Sequence, residues 1–205
     1  SASGGERVEL LPAYDGHVNG FYWSDNDRIF WLGHRGVWSE TGSVAVSQPR
    51  EVPGEPEPGP IVRSISARPG LQAVAAIADT PQHPPEVYLL RNGADPLRLT
   101  RSNPVLEERR LAQQEVMSYT ARDGLELEML VMHPFKAKRG GNPLIMIIHG
   151  GPEAHYSNGW MTAYSRPGQV AAAPRQHRFE HREQFVDEFG YLLGFLGAEA
   201  GKPHQ

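Results

Sequence analysis

The sequence predicts a β-rich N-terminal part, up to about residue 104, joined to a C-terminal part of different texture. Three observations predict this. Short β-branched and aromatic runs recur between turn residues along the first half of the chain. Asp123-Gly124 then separates two alternating runs, which is a hairpin signal. Finally, Leu144–Ile148 is apolar throughout and stops at His149-Gly150-Gly151-Pro152, as a strand buried on both faces of a sheet does on reaching a loop.

Taken in order, "VNGFYWS" (18–24), "DRIFWLG" (27–33) and "GSVAVSQ" (42–48) read as strands, with "SDND" (24–27) and "SETG" (39–42) as the turns between them. "PREVPGEPEPGP" (49–60) holds no core-forming residues and is a loop. "IVRSISA" (61–67), "LQAVAAIAD" (71–79) and "PEVYLLR" (85–91) are three further strands, and "LRLT" (97–100) returns after a turn at "RNGADP" (91–96). Strands at this spacing suit a sandwich, a barrel or a propeller, and no internal repeat selects one of them. "EVMSYTA" and "LELEMLVMHP" flank Arg122-Asp123-Gly124, and "FKAKRGGN" (135–142) is a basic, Gly-rich connector into the apolar strand. In the tail, Phe185, Phe189, Leu192, Leu193 and Leu196 fall at helical spacing within 179–197, so the pattern predicts one amphipathic helix there.

Composition limits the classes of function. A chain of 205 residues with 39% hydrophobic and 21% charged residues is long and apolar enough for a folded core. Its net charge of −4 leaves no basic footprint, so neither nucleic acid nor an anionic membrane is an expected partner. No apolar run approaches the roughly 20 residues that span a bilayer. No signal-peptide pattern is visible, and there is no cysteine, a combination compatible with the cytoplasm. The nine histidines do not fall at metal-ligand spacing, so neither a metal nor another cofactor is expected.

The motif of chemical interest is His149-Gly150-Gly151. Glycines at a strand end let backbone N–H groups approach a developing oxyanion, because no Cβ stands in the way. HGG-type loops after a strand serve that purpose in α/β-hydrolases. A plain tight turn leaving the strand is the alternative. Such a loop needs a nucleophile, and no serine lies in a Gly-x-Ser-x-Gly frame. Ser157 comes closest, in "HYSNG", but His155 stands at the first glycine's position, and the segment reads as loop with Trp160 as a packing anchor. For a general base, "QHRFEHREQF" offers His177 and His181, which are otherwise surface histidines at a helix start.

Together, "YTARDGLELEMLVMHP" and "NPLIMIIHGGPEAHYSNGW" resemble the entry into the catalytic domain of the prolyl oligopeptidase family of serine peptidases, which includes acylaminoacyl-peptidases and dipeptidyl-peptidase-like enzymes. The resemblance spans roughly residues 60–170 and is most specific over 119–160. It implies that residues 1–104 are the last blades of a β-propeller and 105–205 a partial α/β-hydrolase domain. It also implies a peptide substrate. Gly150 and Gly151 would form the oxyanion loop, with His149 where some relatives place a tyrosine. "HRFEHREQF" resembles the family's His-Gly-Phe segment, making His177 the implied base, with Arg178 where glycine is usual. Only about 25 residues separate the HGGP loop from His177, too few for an elbow and several βα units. The expectation is an internally deleted relative, joined near 167–181 and inactive for want of its nucleophile, or else a non-catalytic binding module. Its unpaired hydrolase strands should favour self-association.

Overall fold

The computed structural model describes residues 4–52, 55–67, 73–91, 93–137, 142–150 and 154–173, together with the backbone of 192–199. The first sheet is an antiparallel meander of β1 (His17–Trp23), β2 (Arg28–Arg35) and β3 (Trp38–Ala45). The second joins β4 (Ile61–Ser66), β5 (Ala73–Thr80), β6 (His83–Arg91) and β7 (Ala94–Arg98) in chain order. The third contains β8 (Gln114–Thr120), β9 (Glu126–Met132), β10 (Leu144–Ile147) and the late strand, spatially ordered with β10 at one edge and β8 at the other. A two-residue ladder of β11 (Thr162–Ala163) with β12 (Arg166–Pro167) precedes a short helix, α1 (Gly168–Ala172). The late strand is β13 (Leu192–Glu199).

β2 is covered on both faces because both sets of its alternating side chains are apolar. Ile29 and Trp31 pack with Val44 beneath Leu10, Leu11 and Tyr14 of the leading segment. Leu32, on the opposite face, joins Val62, Ala76, Ala78 and Tyr88, so the first sheet stacks on the second. A hollow of about 510 Å³ remains between the leading segment and the first sheet, lined by Leu10, Tyr14, Val18, Phe21 and Trp31 among others. The third sheet has its own core of Leu130, Met132, Met161 and Ala172, into which Val37 inserts from the β2–β3 turn.

The hairpin at Arg122-Asp123-Gly124 is present, with Gly124 at φ 88° and its N–H donated to the Ala121 carbonyl at 2.9 Å. Four expectations are corrected. "SETG" lies within β3 and is not a turn. The reversal comes earlier, at Gly36, whose φ of 55° suits glycine. β7 begins at Ala94 and takes in residues expected in the turn. β10 is covered on one face only: Ile145 and Ile147 pack on the core, while Leu144 (57%), Met146 (60%) and Ile148 (63%) are exposed. Finally, the part of the expected tail helix that is described, from Leu192 onward, is the strand β13. It fills the gap between β10, to which it runs parallel, and β9, to which it runs antiparallel. Open backbone groups on both neighbours outweigh a helical pattern already weakened by Gly190 and Gly194. Residues 179–191 of that pattern lie outside the described residues.

Candidate functional site

β10 delivers the HGG loop to the seam between the third sheet and the β2–β3 hairpin. His149 is partly buried, its ring edge-on to Tyr156 with centroids 6.0 Å apart. Gly150 is exposed, and nothing lies within 4 Å of where a Cβ would stand, so its backbone faces open space. Gly151, and the implied base His177 together with His181, lie outside the described residues.

The segment after the loop is tied down at many points. Asn158 donates its N–H to the Val37 carbonyl at 2.8 Å, and Gln114 Nε2 donates to Asn158 Oδ1 at 2.8 Å and to the Gly159 carbonyl at 3.1 Å. Glu128 on β9 accepts the Val37 N–H at 2.9 Å, fastening the hairpin tip to the third sheet. Gly159 is required by close approach: a Cβ there would lie 2.0 Å from Asp79 Oδ1 and 2.7 Å from Arg63 Nη2.

Around Ser157 lies a polar cluster that no local pattern in the sequence signals. Its hydroxyl lies 3.2 Å from His155 Nε2 and accepts from Arg63 Nη1 at 3.4 Å, across 94 positions of chain. Arg63 also donates to both oxygens of Asp79, each at 3.1 Å. The His155 ring meets that of His34 edge-on, with centroids 5.0 Å apart. His34 Nδ1 donates to Asn19 Oδ1 at 2.6 Å, while its buried Nε2 has no partner among the described residues. Burial first, then the neighbouring His155, Arg63 and His17, push the His34 imidazole down to about 4. Burial, then Arg63, His149 and His17, lower His155 as well.

Chemically, a neutral His155 beside a serine has the form of a nucleophile–base pair. Ser157 is only 2% exposed, however, and its oxygen already serves Arg63. The pair closes the seam instead of presenting a nucleophile to solvent. Among the described residues, no group of three or more His, Asp or Glu side chains could hold a metal ion, and no helix is long and apolar enough to cross a membrane.

No protein-family model matches the sequence. An uncharacterized peptidase of Bacillus subtilis, YuxL, is 30% identical over 114 residues, covering 55% of this chain and 17% of that protein. Among solved structures, an acylaminoacyl peptidase in complex with Z-Gly-Gly-Phe-chloromethyl ketone superposes with a TM-score of 0.67 at 18% identity, over 94% of this chain and 27% of that one. The Pyrococcus horikoshii acylaminoacyl peptidase gives 0.65 at 18% identity, over 91% and 26% of the two chains. A prolyl endopeptidase gives 0.57 at 15% identity, over 92% and 25%. The chain thus shares its strand-rich fold with peptidases of the prolyl oligopeptidase type and spans about a quarter of the length of those solved structures.

Proposed function

We propose that this chain carries the last propeller blades (residues 1–104) and the opening of the α/β-hydrolase domain (from residue 105) of a serine peptidase acting on short peptides. One observation carries the reading. The strand that ends in His149-Gly150 is seated against the β2–β3 hairpin, within a fold that follows acylaminoacyl peptidases over nine-tenths of the chain. In the reaction, attack on the scissile carbonyl moves negative charge onto its oxygen. The N–H groups of Gly150 and Gly151 are suited to receive that charge, since donors fixed before the reaction need no reorganisation during it. His149 flanks the same position. His177 is the proposed base.

The nucleophile is not in this chain. None of its serines stands in a Gly-x-Ser-x-Gly frame, and without a nucleophile the remaining parts of a triad have nothing to activate. The chain by itself is therefore proposed to be catalytically silent. The test is to treat the purified protein with a fluorophosphonate probe and a chromogenic acyl-peptide. No labelling and no turnover are expected. Labelling abolished by Ser157→Ala would replace this reading with a Ser157-centred hydrolase. Sequencing the transcript across the codons for Pro167 to His181 tests the proposed internal join: inserted coding sequence bearing a Gly-x-Ser-x-Gly would identify the missing segment.

A second reading, a non-catalytic module that associates through its hydrolase strands, is favoured by one specific feature. Leu144, Met146 and Ile148 form an apolar row on the uncovered face of an edge strand.

A further inference from the structure

We propose that the seam between the β2–β3 hairpin and the segment following the HGG loop is an acid-sensitive latch, closed while His34 and His155 are neutral and released when they take up protons. The proposal rests on the geometry of the seam and holds whether or not the chain is catalytic.

His34 sits on β2 and is 8% exposed. Its Nδ1 is committed to Asn19 of β1, and its Nε2 has no hydrogen-bond partner among the described residues. A neutral ring tolerates this, because an unused acceptor nitrogen carries no charge. A protonated ring does not. Its Nε2–H would be a buried donor without an acceptor, and its charge would lack a counter-ion.

Among the described residues, no carboxylate faces the pair directly. The groups facing the pair, among the same residues, are His17 on β1, Arg63 on β4 and His149 after β10. All are cationic or can become so. Asp79 on β5 is the carboxylate of the cluster, and both of its oxygens already accept from Arg63. His155 can still donate to the Ser157 oxygen when protonated, but burial and the neighbouring Arg63, His149 and His17 oppose its charge. Protonating either ring therefore places like charges together in a half-dry site. Separating the seam restores both rings to water.

The direction with pH follows from proton binding. In the closed seam the His34 imidazole is held down to about 4, whereas a solvated histidine titrates near 6.5. The closed form binds fewer protons between these values, so stability of the seam is complete above about pH 6.5 and is lost as pH falls towards 4. From His34 alone, the opening constant rises about 30-fold between about pH 7.5 and about pH 5. Opening would free the segment 155–159 from the hairpin that carries Val37.

Backbone hydrogen exchange tests this, read over residues 32–38 and 155–161 at about pH 7.5 and about pH 5 and corrected for the intrinsic rate. The expected result is a rise in opening of at least about 30-fold in the native chain and a rise about 30-fold smaller in His34→Gln, which keeps a polar side chain that cannot charge and leaves only the His155 contribution. An equal rise in both proteins would overturn the latch. Should the variant not fold, the imidazole Cε1–H resonances of the native chain decide. A midpoint for His34 well below the ordinary value supports the proposal, and one at about 6.5 ends it.

Discussion

At the scale of single residues, two glycines and one glutamate show how little room the structure leaves. At Gly36 a Cβ would meet the Glu128 carboxylate at 2.2 Å in a backbone already at φ 55°. Gly36→Ala is therefore expected to lower stability by roughly 1–3 kcal/mol, and Gly159→Ala by a similar amount through Asp79 and Arg63. Urea unfolding checks both: the midpoint should fall with an unchanged slope. Glu86 is fully buried and accepts from Ser102 N–H at 2.7 Å, from the Ser102 hydroxyl at 3.0 Å and from Thr100, with Arg98 at 3.4 Å. Burial works to raise this carboxyl, but those donors and the Arg98 charge outweigh it and hold it below the ordinary range. Its contribution is thus present above the ordinary carboxylate pKa and is lost as pH falls through the depressed value. Glu86→Ala leaves buried donors unpaired and should cost about 1–3 kcal/mol near neutral pH, with the difference from native shrinking on acidification.

At the scale of elements, the β2–β3 hairpin organises the molecule. β2 serves two packing layers at once, and the turn beyond it inserts Val37, which is fully buried, into the core of the third sheet. Leu130 belongs to that core and is also fully buried, so Leu130→Ala should cost about 2–5 kcal/mol, read from the thermal midpoint. β13 holds β10 in the third sheet, since β10 pairs with no other strand among the described residues. A proline in an interior strand removes ladder hydrogen bonds. Leu193→Pro should therefore release β10 and sharply raise amide exchange over residues 144–147, while exchange over β4–β6 stays as in the native chain. Unchanged exchange in β10 would mean that its pairing does not depend on β13.

At the scale of the whole molecule, antiparallel meanders follow one another along the chain and stack, with the third sheet fastened on through the hairpin tip. One face of that third sheet presents apolar side chains to water among the described residues. Leu144, Met146 and Ile148 on β10, with Met117 on β8, are exposed apolar side chains. Water-facing rows of this kind drive association. Light scattering after size exclusion is expected to show a mass that grows with concentration, and Met146→Lys should reduce that growth without shifting the thermal midpoint, because Met146 lies outside the core. A concentration-independent monomer would count against the self-associating module.

Much of the strand content was legible in the sequence, because β-branched and aromatic runs between turn residues have no competing periodicity. The Asp123-Gly124 hairpin was legible too, since glycine is suited to the positive φ observed there. So was the strand leading into His149-Gly150, because apolar runs of that length have few other uses. Tertiary structure alone decided the rest. "SETG" became strand because Gly36 had already made the turn and β2 offered a full row of partners. The described part of the tail became strand because two neighbours offered open backbone groups. The seam of His34, Arg63, Asp79, His155 and Ser157 has no signature in the chain, since it is assembled from four distant segments. Local sequence sets what each segment can pair with. Only the stacking of the sheets determines which side chains share a site, and so which of them lose water, charge and partners.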